Sequence, residues 1–119
     1  MYEEDATQSL DIRKQVNAIA PNFVHSLDAA HMMLTINRLH DAELRHFSMV
    51  HDSYGIHACD VDMLNKVLRE EFVSIYREPV MTRFLAEQRS ANPGIQLPEP
   101  PPLGDLDIGV VLHSDYFFA

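Results

Sequence analysis

The sequence predicts an α+β fold: helices packed on one β-hairpin, followed by a Pro-rich connector and a docked C-terminal tail. Two observations predict the helices and one the hairpin. Val61, Leu64, Leu68, Phe72 and Ile75 step by three and four residues, the period of one helical face. Leu27, Ala30, Met33, Leu34, Ile36 and Leu39 show a related but broader apolar pattern. Between them, Phe47-Ser48-Met49-Val50 and Ile56-His57-Ala58 flank the polar run His51-Asp52-Ser53-Tyr54-Gly55, as two short strands around a turn would. The chain is 119 residues long, enough for one small domain.

The elements follow in order. Residues 1–22 read as a polar lead-in. Pro21 biases Ala20 away from the helical region, so any helix before it is expected to end there. Residues 23–90 form the expected helix–hairpin–helix core. Ser26 is placed to cap a helix over about 26–40, whose apolar residues on several faces predict that it is largely buried. The hairpin is expected over about 46–58. Asp60 stands at the N-cap of the amphipathic helix over about 61–77. Pro79 breaks that helix and suits the first residue of another carrying Val80, Phe84 and Leu85, which Asn92-Pro93-Gly94 ends. Residues 91–104 form a connector, with prolines at 98, 100, 101 and 102 imposing an extended, polyproline-like path. Residues 105–119 begin with Asp105 as the cap of a short helix through Leu112, weakened by Gly109. The closing Tyr116-Phe117-Phe118-Ala119 is too apolar for a frayed end and is expected to dock in a pocket.

Composition narrows the function. Nine Lys+Arg against eighteen Asp+Glu give a net charge of -9, which argues against a free-standing nucleic-acid binder. A content of 46% apolar residues supports a packed core. The lone Cys59 excludes an internal disulfide and fits a reducing compartment. No apolar run approaches the ~18 residues that a membrane span needs, so no membrane partner is expected. The acidic Met1-Tyr2-Glu3-Glu4-Asp5 does not resemble a signal peptide. Four glycines leave no Gly-rich phosphate loop.

Metal-capable side chains concentrate around the hairpin: His51, Asp52, His57, Cys59 and Asp60. A carboxylate held at a hairpin tip suits Mg²⁺, a hard cation that takes oxygen ligands and keeps several waters. Asp52 equally suits an ordinary turn, where Asp, Ser and Gly are the usual residues. His51, His57 and Cys59 offer a zinc alternative, although their spacing matches no tight Cys/His module. His25 and His31 are six residues apart, which does not bring two imidazoles to one helical face.

Several segments, taken together, carry a resemblance. Ala20-Pro21-Asn22-Phe23-Val24-His25-Ser26-Leu27-Asp28, followed by His31-Met32-Met33-Leu34-Thr35, resembles a segment of the single-subunit, phage-type DNA-directed RNA polymerases, which include the mitochondrial enzymes. His51-Asp52-Ser53-Tyr54-Gly55 is similar to the third palm motif of that family, at the expected distance downstream. Arg13-Lys14-Gln15 fits before the first motif, and Tyr116-Phe117-Phe118-Ala119 resembles the aromatic end of these polymerases. An ordered set of matches over roughly residues 11 to 119 is far more specific than one motif alone.

The resemblance implies template-directed nucleotidyl transfer from ribonucleoside triphosphates by a two-Mg²⁺ mechanism, with DNA template, nascent RNA and the remaining polymerase domains as partners. It implies that Asp52 is one of two metal-binding carboxylates and that His51 touches the sugar-phosphate at the growing RNA end. It also implies that His25 lies near the primer terminus, and that Phe118 and the Ala119 carboxylate pack toward the active site. The earlier palm motif with the other aspartate and the fingers helix have no match in this sequence. The chain is therefore expected to be the C-terminal part of a longer enzyme, inactive alone, with uncovered surface that favours self-association. A non-catalytic acidic interaction domain, or the remnant of a polymerase gene, is the alternative. Ile19-Ala20-Pro21-Asn22 looks phage-like and points to the cytoplasm of a bacterial host, with the mitochondrial matrix as the alternative.

Overall fold

In a computed structural model, which describes residues 10–118, the chain forms three α-helices, one two-stranded antiparallel sheet and two 3₁₀ segments. This is the expected α+β arrangement. The first helix, α1, runs Ile12–Asp41. The hairpin follows as β1 (Phe47–Val50) and β2 (Ser53–Ile56), then a 3₁₀ turn at Ala58–Asp60, α2 (Val61–Tyr76) and α3 (Val80–Ala91). After the proline-rich connector, a second 3₁₀ segment spans Ile108–His113.

The first helix corrects three expectations. It passes through Pro21 without ending, and its N-cap is Asp11, whose carboxylate accepts from the Lys14 amide at 3.1 Å. Ser26 is no cap: its hydroxyl donates to the Phe23 carbonyl one turn back, at 2.7 Å. The pre-proline bias is local, whereas α1 is held by the Asp11 cap and by Phe23 packed on Phe84 of α3, ring centroids 4.8 Å apart. Nor is α1 largely buried. Only His31, Thr35 and Leu39 are buried, one stripe at i, i+4, i+8, while Met33 is 63% exposed.

The helix ends in a Schellman arrangement. The Leu44 amide donates to the Leu39 carbonyl at 3.1 Å and the Glu43 amide to the His40 carbonyl at 3.0 Å. Glu43 takes the left-handed conformation (φ 65°) where glycine is usual. The accompanying apolar contact is present, because Leu44 packs on the cluster that contains Leu39. This turn swings the chain back so that the hairpin lies over the C-terminal half of α1.

The hairpin pairs Phe47 with Ile56, Ser48 with Gly55, Met49 with Tyr54 and Val50 with Ser53. Phe47, Met49, Tyr54 and Ile56 therefore share one face, and the first and last two pack with Leu44 on the core of Leu39, Leu64, Val67 and Leu68. Gly55 belongs to the strand, not to the turn as expected. A Cβ there would stand 3.3 Å from the Cβ and carbonyl oxygen of Ser48, so close cross-strand approach selects glycine.

The remaining helix starts also differ in detail. Asp60 occupies the N-cap position of α2 but makes no capping bond, since its φ of -106° and ψ of 0° depart from the extended backbone of a capping residue. Pro79 precedes α3 with extended backbone, and its carbonyl accepts from the Thr82 and Arg83 amides at 3.0 and 3.1 Å. The short C-terminal helix is 3₁₀ and is capped by Asp107, not Asp105: the Asp107 carboxylate accepts from the Gly109 amide at 2.9 Å. Arg38 ties α1 to α2 through Glu70 and Glu71, and the Glu71 bond, with both carboxylates nearby, holds its guanidinium above the usual pKa. No helix among the described residues is long and apolar enough to cross a membrane.

Candidate functional site

The β1–β2 connection is two residues long, His51 and Asp52, because Val50 pairs directly with Ser53. So tight a turn needs a positive φ, and His51 supplies it at 54°. A left-handed non-glycine residue costs of order 1 kcal/mol and occurs where its surroundings fix it. The strained turn projects both side chains from the sheet end toward α1.

Across from the turn, Asp28 and Ala29 lie three and four residues after His25, and Met32 four and three after them, which is one face of α1. That face and the turn enclose an open cleft of about 610 Å³, lined by His25, Asp28, Ala29, Met32, His51 and Asp52. His25, His51 and Asp52, three residues singled out from sequence, thus meet in one cleft although 26 positions separate His25 from His51. Asp28 is the residue that sequence reasoning missed. Its signal was its place three residues after His25 on the same helical face. Neither Lys nor Arg lines the cleft, so its field is set by two carboxylates.

That field reaches Tyr54. Burial pushes its phenol above the usual pKa, and the Asp28 and Asp52 carboxylates push in the same direction. Tyr76 is raised by burial and by Asp28. Both phenols remain protonated beside the acidic cleft across the neutral range.

His31 has a different role from His25. It is 6% exposed and its Nε2 lies 2.9 Å from the Leu68 carbonyl; a carbonyl can only accept, so Nε2 carries the proton. Its ring meets those of Phe72 (5.8 Å), Phe118 (6.0 Å) and Tyr54 (6.4 Å). The expected docking of the aromatic tail is visible here. Phe117 packs on Phe72 at 4.9 Å, while Phe118 meets Tyr54 edge-on at 5.7 Å. Tyr116, in contrast, is 91% exposed, and Ala119 lies outside the described residues.

The zinc alternative fails on geometry. His57 stands against His46, ring centroids 5.5 Å apart, and Cys59 is exposed. Among the described residues no three His, Cys, Asp or Glu side chains gather to hold a metal. The cleft offers two hard oxygen donors of the kind magnesium takes, Asp52 and Asp28, and these two alone do not complete a site for it.

The family model of DNA-dependent RNA polymerase matches residues 1–94, and the chain belongs to that family. Among curated proteins, it is 46% identical over 110 residues to the chloroplastic DNA-directed RNA polymerase 3 of Nicotiana sylvestris, covering 92% of this chain and 11% of that protein. It is 46% identical over 112 residues to the mitochondrial DNA-directed RNA polymerase 1 of Arabidopsis thaliana, covering 94% and 11%. It is 45% identical over 112 residues to DNA-directed RNA polymerase 2A of Nicotiana tabacum, covering 94% of this chain and 33% of that protein. The chain thus spans about a ninth of the length of the first two of these relatives. No solved structure matches it.

Proposed function

We propose that this chain contributes one wall of the active site of a DNA-directed RNA polymerase, acting in template-directed nucleotidyl transfer from ribonucleoside triphosphates. One observation carries the reading: the cleft brings His25, His51 and Asp52 together beside a second acid, Asp28. Family membership supports the reaction class. In this reading the hairpin is part of the palm, Asp52 is a metal ligand, and His51 and His25 contact the sugar-phosphate and the primer end. Magnesium, when bound, activates the attacking 3′-hydroxyl and stabilises the leaving pyrophosphate.

The chain's own groups do the rest. The two-residue turn fixes the Asp52 carboxylate at the sheet end, which limits the reorganisation needed when charge develops. The imidazoles of His25 and His51 supply donors to phosphate or sugar oxygens from opposite walls. Phe118 closes the adjoining cleft. The net charge of -9 concerns this segment alone, and the basic track for template and transcript comes from the remaining domains. Chloroplastic and mitochondrial relatives favour an organelle over the bacterial cytoplasm that the lead-in suggested.

The test is Asp52→Asn in a polymerase that carries this segment. Nucleotide addition should fall by at least roughly 10³-fold, the scale of several kcal/mol of lost charge stabilisation, while promoter binding survives. The pure 119-residue chain should incorporate no labelled nucleotide on a template. A variant polymerase that kept most of its rate would remove Asp52 from the metal site.

A further inference from the structure

We propose that Arg69 is a positioning residue that fastens the C-terminal tail to α2 and thereby holds Phe118 against the strand carrying the Asp52 turn. The clamp stands on geometry alone, and its catalytic consequence rests on the polymerase reading.

Arg69 is half-buried on α2. Its Nε donates to Asn65 Oδ1 at 3.0 Å, one turn back on the same helix, and this bond orients the guanidinium plane. Its Nη1 donates to the Val111 carbonyl at 2.9 Å and to the Ser114 carbonyl. The Val111 carbonyl also accepts from the Ser114 amide at 3.4 Å, so Arg69 adds a second, shorter bond there and a further one to Ser114, and one arginine braces the exit of the 3₁₀ segment that leads into the tail. The guanidinium carbon also lies 5.7 Å from the centroid of the Phe117 ring, within range of a cation–π contact. Lysine, a point charge without a planar fork, has no equivalent for this combination.

From Phe117 the contacts lead to the site. Its ring is 4.8 Å from that of Phe118, which stacks on His31 and meets Tyr54. Tyr54 is two residues beyond Asp52, and Asp52, Tyr54, Asn65 and Phe118 line a common cleft of about 280 Å³. No α-helix or strand holds residues 114–118 in place, so side-chain anchors decide where Phe118 lies. Releasing Arg69 removes the anchor at the entrance to the tail.

The experiment has two arms. In the 119-residue chain, nuclear Overhauser contacts between the Phe118 and Tyr54 rings should be lost in Arg69→Gln while the amide shifts of α2 and the hairpin persist. Arg69→Lys, which keeps the charge and the stem, should weaken the same contacts and carries the test if Arg69→Gln fails to fold. Ring contacts that persist in both variants overturn the clamp. In a polymerase carrying the segment, Arg69→Gln should lower kcat about tenfold, the scale of a small displacement near reacting groups. KM for nucleotide should stay within about twofold. Combined with Phe117→Ala and Phe118→Ala, it should cost nothing further, since both changes disable one device. An unchanged kcat, or effects that multiply, overturns the positioning role. An Asp52→Asn enzyme that remains active instead removes Asp52 from the proposed metal site, and the ring contacts then still decide the clamp.

Discussion

The two halves of α1 each carry a stripe at helical spacing and meet different fates. In the C-terminal half, His31, Thr35 and Leu39 are buried against α2 and the hairpin. In the N-terminal half, Ile12, Val16 and Ile19 also fall on one face, at steps of four and three, yet they are 76%, 65% and 58% exposed. Periodicity states which face of a helix favours burial, but what covers that face depends on where other elements go. Here α2 and the hairpin fold back over one half only. The radius of gyration shows the consequence: 18.6 Å, against about 13.5 Å for a compact domain of this length. The exposed half leaves an apolar face uncovered among the described residues, and the buried half is where this chain organises its cleft.

The contrast breaks most readily at Leu39, which is fully buried. Leu39→Ala should cost about 2–5 kcal/mol through lost transfer energy and the cavity left behind. Chemical denaturation of the chain reads this as a lower midpoint at unchanged slope. A loss below about 1 kcal/mol would mean that the supposed core relaxes like a surface, and the distinction between the halves would fail.

What was legible in the sequence follows the same division. α2 was readable from its 3.6-residue period and the hairpin from short apolar runs around a polar turn, although its second strand is Ser53–Ile56 and not Ile56–Ala58, because the turn is only two residues long. Pro21 misled because a local backbone bias was weighed without the Asp11 cap and the Phe23–Phe84 contact that support the helix through it. The Schellman turn at Glu43 carried no glycine to announce it. At the site, His25, His51 and Asp52 were identified through resemblance, and their common cleft depends on the fold-back that this turn creates. Asp28 escaped notice because an acid on a helix surface is ordinarily a solvated one. Arg69 was invisible for a different reason: its carbonyl partners lie more than forty residues away and carry no side-chain signature.

A smaller effect sharpens the account of the organised half. An unfolded phenol ionises near pH 10, whereas burial and the Asp28 and Asp52 charges keep Tyr54 protonated to higher pH in the folded chain. The folded state therefore holds that proton more tightly. Its contribution to stability is complete below about pH 10 and disappears as pH rises through the folded value. Folding stability measured against pH should bend downward above about pH 10, and Tyr54→Phe should bend less. Identical curves for the two proteins would show that Tyr54 does not feel the acidic cleft.

The smallest expected effect lies in the other half. Val16 is 65% exposed on α1, and in a monomer Val16→Ser should change stability by no more than about 0.5 kcal/mol, since little apolar area leaves or enters water. Serine and valine have similar helix preferences, so the lost methyl groups set the effect, which is small at an exposed site. Protein concentration supplies the sharper reading. If two copies cover this face on each other, the midpoint of denaturation rises with concentration for the native chain, and Val16→Ser reduces that rise. A concentration-independent midpoint with a small Val16→Ser effect leaves the face open, as the structure has it. A large effect at every concentration would mean that residues of this same chain bury it, and the two halves of α1 would then be alike.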